Sequence, residues 1–205
     1  MKLEKVKQIC DKGFATHKAT LIQNTDRYLI IDWRRADGSS QYYINYIVDK
    51  KCGNFIVSGD LGSSVAAWHN NIDVSDIKKW MKNDIDYYVS KIQCASTLYY
   101  YESNEVVSDI KNHLSECDID DIIDSFNEHC SYFVSNEAEV WKYLKYEISS
   151  CIQSSKFVPS EEVKKFCEDF YADCSEWLYS CGKRICTRVY LWADGFYKAC
   201  AQLDI

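Results

Sequence analysis

Two pairs of metal-ligating residues, His113 with Cys117 and His129 with Cys130, are the first place to look for chemistry in this chain. His113 and Cys117 are four apart, so on one helix both point the same way. His129 and Cys130 fall on the next expected helix, and two nitrogen and two sulfur ligands suit tetrahedral zinc. Zinc is thus the candidate metal, and no other cofactor is expected. Geometry works against it. If the second helix folds back from a turn at Asp118, His129 lies about 15 Å along that helix, while His113 and Cys117 sit beside the turn. A packed thiol core is the preferred reading, with the four residues kept as the metal candidate. Cys167, Cys174, Cys181 and Cys186 lack the close CxxC pairing of zinc ribbons and make a weaker set.

Other constellations carry less. Gly59-Asp60-Leu61-Gly62-Ser63-Ser64 follows an expected strand, as phosphate loops do, but lacks the lysine of a P-loop and the third glycine of a dinucleotide fingerprint. It reads as a structural turn. Asp118-Ile119-Asp120-Asp121-Ile122-Ile123-Asp124 has isoleucine where a calcium loop needs glycine, and its spacing is that of an amphipathic helix. Nucleophilic catalysis needs Ser or Cys beside a His base. The four histidines are His17, His69, His113 and His129, and no spacing joins one to a nucleophile. No catalytic residue is assigned.

Charge is the most unusual feature. From Glu102 to Cys130 there are nine acids, Glu102, Glu105, Asp109, Glu116, Asp118, Asp120, Asp121, Asp124 and Glu128, against Lys111 alone, in a protein of net charge −7. The first 51 residues hold ten Lys/Arg and six Asp/Glu. A charge run is usually a solvated helical face. Its functional reading is an acidic surface that steers onto a basic partner. The same face is unsuited to contacting DNA directly, because phosphate contacts need Lys and Arg.

The elements that must carry these residues follow from periodicity. Of 205 residues, 47% are hydrophobic, enough for one large domain or two small lobes. Residues 3–11 read as a helix, then 18–23, 27–33, 41–48 and 55–57 as strands, with Asp37-Gly38 and Cys52-Gly53 in turns. After Gly62 the period becomes helical, with Val74-Ile77-Trp80 and Ile85-Tyr88-Val89-Ile92 marking two helices, the first capped by Asp73 or Ser75. Further helices are expected at 104–117, 119–129, 137–152, 160–170, 173–181 and 187–203, with Ser160 an N-cap and Gly182 a C-cap. The fold class is α+β: a four-stranded antiparallel sheet packed against a mostly helical C-terminal half, with lobes at 1–100 and 101–205.

No apolar run approaches the roughly 20 residues that span a bilayer, and Met1-Lys2-Leu3-Glu4-Lys5 has no apolar segment behind it. A cytoplasmic protein is expected. Most of the eleven cysteines fall on apolar helix faces, as Cys10 does after Leu3 and Val6, which predicts buried free thiols.

Several segments carry a resemblance: Ile31-Asp32-Trp33-Arg34 with Asp37-Gly38-Ser39-Ser40, Ser58-Gly59-Asp60-Leu61-Gly62 with Trp68, Lys91-Ile92-Gln93-Cys94-Ala95-Ser96, and Arg188-Val189-Tyr190-Leu191-Trp192-Ala193 with Gly195-Phe196. Over roughly residues 20–100 and 175–203 the chain resembles a family of small accessory proteins of phages and mobile elements of gut Firmicutes. Such genes often encode inhibitors of bacterial immunity. The resemblance implies a phage-encoded anti-CRISPR protein that binds Cas9 and blocks nucleic-acid engagement through the acidic surface. The alternatives are a small nucleotide- or nucleic-acid-modifying enzyme built on Gly59, Asp60, Ser63 and His69, and a phage regulatory protein with no defence target.

Overall fold

A computed structural model describes residues 3–153 and 155–205. Met1 and Lys2, at the start of the segment read for a leader, lie outside the described residues, as does the side chain of Leu3. The fold is α+β and divides into two compact units, Met1–Leu98 with Cys186–Ile205, and Tyr99–Ile185.

In the first unit, α1 (Leu3–Phe14) leads into β1 (His17–Asn24), β2 (Tyr28–Arg35), β3 (Ile44–Asp49), β4 (Asn54–Gly59) and β5 (Ser64–Ala67). Then come α2 (Val74–Asn83), α3 (Ile85–Ser90) and β6 (Ile92–Ala95). The strands form one antiparallel sheet in the order β1-β2-β3-β4-β5-β6. The sheet therefore has six strands, not the expected four. β5 is four residues long, and Ile92, which continues the helical spacing of Ile85 and Val89, instead opens β6 once Lys91 caps α3. Tertiary pairing overrides a short local period.

Alternation sets the inner face. Leu29, Ile31 and Trp33 of β2 are buried and pair with Val48, Tyr46 and Ile44 of β3. Tyr46 and Val48 pair in turn with Val57 and Phe55 of β4. The last helix, labelled α9 below in chain order (Thr187–Leu203), packs on this face: Phe196 meets Phe55 at 4.8 Å and Tyr46 at 5.2 Å between ring centroids. Close approach needs Gly195, where an added Cβ would stand 2.5 Å from Tyr46 Oη. Tyr46 Oη donates to Trp192 O at 2.9 Å, so the buried hydroxyl is satisfied.

The second unit holds β7 (Tyr99–Tyr100), α4 (Ser103–His113), α5 (Ile119–His129), α6 (Glu137–Cys151), β8 (Ile152–Gln153), β9 (Lys156–Phe157), α7 (Glu161–Glu168), α8 (Ser175–Leu178) and β10 (Arg184–Ile185). Its core joins Val106, Ile110, Phe126, Val140, Leu144 and Phe166, one apolar stripe from each of four helices. Asn136 and Ser160 cap α6 and α7 through Glu139 N and Val163 N. Asp73 precedes α2 without a side-chain cap bond. The helix expected over 173–181 is only Ser175–Leu178; Gly182, at φ +70°, ends the turns that follow rather than the helix itself. No helix among the described residues is long and apolar enough to cross a membrane.

Candidate functional site

The nine acids separate into two groups with different work. Arg184 of β10 takes two of them. It donates to Glu105 Oε2 at 3.0 Å and to both oxygens of Asp109, which also accepts Gly182 N at 2.7 Å. Burial alone would raise the Asp109 carboxyl. The Arg184 and Gly182 donors outweigh it and hold the group below the usual carboxylate range. Glu105 and Asp109 tie α4 to the β7–β10 ribbon, and the Arg184 guanidinium offsets part of their charge.

The remaining acids are exposed. Glu102 precedes α4, Glu116 and Asp118 lie in the α4–α5 turn, and Asp120, Asp121, Asp124 and Glu128 lie on α5. None forms a salt bridge with Lys or Arg among the described residues. Asp118 Oδ1 accepts Asp120 N at 2.9 Å and starts the helix. Asp120 and Asp121 sit in the first turn, where the helix dipole favours anions. At 100° per residue the four α5 acids fall within an arc of about 100°. Asp120, Asp124 and Glu128 make a row with a step of about 6 Å. The opposite face buries Ile122, Ser125 and Phe126, which fixes the direction of the acids. The arrangement is a rigid row of carboxylates on a helix anchored in the core.

The metal candidates do not assemble. α4 ends at His113, Leu114 is its C-cap and Cys117 lies in the following turn, so the expected i, i+4 face over 104–117 is broken. His113 instead stacks on Trp177 at 4.0 Å, interplanar angle 16°. Cys130 caps α5 and is buried, its thiol pushed up to about 12 by desolvation. His129 Nε2 contacts Asp169 Oδ2 at 2.9 Å, and Ser125 Oγ donates to the same oxygen at 2.6 Å. Among the described residues the group whose ligand atoms converge within 4.8 Å is Glu128, His129 and Asp169. Asp169 was beyond sequence reasoning because it comes from the end of α7, 40 residues away in the chain. With Asp169 already bonded to Ser125 and His129, the set serves first to join α5 to α7.

The glycine turn is also structural. Asp60 Oδ2 accepts Tyr42 N at 2.9 Å, and Ser96 Oγ accepts Ser63 N at 3.1 Å. Asp60 precedes β5 and His69 follows it, so the four-residue strand, roughly 10 Å long at the usual rise, lies between them in the chain. His69 lines a cavity with Trp68 and Asn70, and Gly59, Asp60 and Ser63 are not among that cavity's lining residues. Comparison with known protein families, characterised proteins and solved structures gives no match.

Proposed function

We propose that the protein is a non-catalytic inhibitor that occupies a basic nucleic-acid-binding channel of a host defence nuclease. Cas9 is the first partner to test. The observation that carries this reading is the exposed row Asp120, Asp124 and Glu128, with Asp121 beside it, left unpaired by any Lys or Arg on a helix whose other face is fixed in the core. RNA-guided nucleases hold their heteroduplex in a positively charged channel and contact it largely through the backbone. A row of carboxylates offers that channel the charge it normally takes from phosphates. Such contacts speed encounter and are screened by salt, because the Debye length falls from about 10 Å at 0.1 M to about 3 Å at 1 M.

The test is complex formation between purified protein and Cas9, with and without guide, by size-exclusion chromatography at low and high salt. A complex that weakens with salt, and is lost when Asp120, Asp121 and Asp124 become Asn and Glu128 becomes Gln, is expected. A complex indifferent to those four changes would move the interface elsewhere on the protein.

A further inference from the structure

The first unit contains a cavity of about 590 Å³ between the segment that follows β5, the helices α2 and α3, and the start of β6. This is within the usual size range of small-molecule sites. Its lining comes from the first unit alone, and none of the nine acids is part of it.

One side is aromatic. Trp68 stacks on Trp80 at 5.1 Å with an interplanar angle of 15°, and Tyr87 packs against Trp80 at 5.1 Å. Backbone bonds hold this floor in place: Trp68 N donates to Gly53 O at 2.8 Å and Ala67 N to Lys91 O at 2.9 Å. Trp68 Nε1 is buried with no acceptor among the described residues, which is uncommon for a buried indole.

The rest of the wall is polar and largely uncommitted. Three carboxamides line it, Asn70, Asn71 and Gln93; the Gln93 amide makes only a 3.4 Å bond to Lys91 O, and those of Asn70 and Asn71 have no partner among the described residues. Each carboxamide offers a donor beside an acceptor, the pattern that reads the edge of a nucleobase. The fixed charges are one of each sign, Asp76 and Lys91, with Lys91 Nζ over the Tyr87 ring at 4.8 Å. One cation beside one carboxylate does not suit a polyphosphate or a nucleic-acid backbone.

We infer that this cavity is a binding site for a purine nucleoside or its monophosphate, with the base stacked on an outer face of the Trp68–Trp80 pair and its edge bonded by Asn70, Asn71 and Gln93. A neutral sugar also lies on indoles and bonds carboxamides through its hydroxyls, which makes it the competing ligand to test.

The test is isothermal titration of the full chain with adenosine, guanosine, AMP, ATP and N-acetylglucosamine. Saturable one-to-one binding of a purine nucleoside or monophosphate, with ATP weaker than AMP, is expected. Trp68→Ala should weaken it roughly tenfold or more. Because Trp68→Ala removes packing, Asn71→Ala, an exposed position, serves as the second variant. It should weaken binding while leaving the thermal midpoint unchanged. No saturable heat with any purine, binding of the sugar instead, or full affinity retained in Asn71→Ala and Trp68→Ala together would overturn the inference.

Discussion

Arg184 holds Asp109 in a two-pronged grip, Nη1 to Oδ2 at 3.0 Å and Nη2 to Oδ1 at 2.9 Å. Planar guanidinium–carboxylate pairs of this kind are stronger than single ion pairs, and this one is about three-quarters buried at the acid. Asp109→Ala leaves Arg184 with Glu105 as its one remaining carboxylate partner among the described residues and removes the acceptor of Gly182 N. A loss of about 1–3 kcal/mol is expected in denaturant unfolding, with little effect on partner binding.

Gly195 sits mid-helix, where alanine would ordinarily stabilise by about 1 kcal/mol. Here the new Cβ meets Tyr46 Oη at 2.5 Å and Phe14 Cζ at 3.2 Å. Tyr46 cannot swing away without losing its bond to Trp192 O. Overpacking costs of about 1–3 kcal/mol outweigh the propensity gain. Gly195→Ala should lower the urea midpoint, and an unchanged or higher midpoint would show that α9 can lift from the sheet without loss.

Acid stability should depend on Asp49. Arg27 donates to it at 3.0 Å, and the amides of Lys51 and Cys52 also bond its carboxylate, so the group titrates at about 2 rather than near 3.8. The folded value lies below the unfolded one, so the folded state binds fewer protons in this range. The contribution is complete above about pH 4 and is lost as pH falls toward about 2. Urea unfolding of Asp49→Asn should show a shallower acid slope than the parent protein, with the two curves converging at the acid end.

Seven of the cysteines are buried, Cys52 and Cys94 are exposed, and all eleven are free thiols. Burial pushes Cys10 and Cys181 up to about 12 and Cys200 to about 11, which leaves almost no thiolate at neutral pH. A thiol reagent should modify Cys52 and Cys94 rapidly and the buried set only after unfolding. Rapid reaction of the whole set would mean that the cores open far more readily than their packing implies.

Helices were legible wherever an apolar stripe ran for three turns, as at Val140, Leu144 and Ile148 on α6, because the period there matches what the fold buries. β6 was not legible, since Ile92 fits the helical period of the segment before it and becomes a strand by pairing with Ala66. Nor was the placement of α9 on the sheet, which rests on contacts such as Tyr46 to Trp192, 146 residues apart. The acidic run was visible as composition, but composition could not separate Asp109, spent on Arg184, from Asp124, which faces solvent. The aromatic cavity escaped because Trp68, Trp80 and Tyr87 come from the segment after β5, from α2 and from α3.

The most direct measurement of the acidic-face account is target cleavage by purified Cas9 and guide in the presence of increasing amounts of the protein. Dose-dependent inhibition is predicted, abolished when Asp120, Asp121, Asp124 and Glu128 are neutralised together and unaffected by Trp68→Ala. Undiminished cleavage at saturating protein, with no complex formed, would contradict the account.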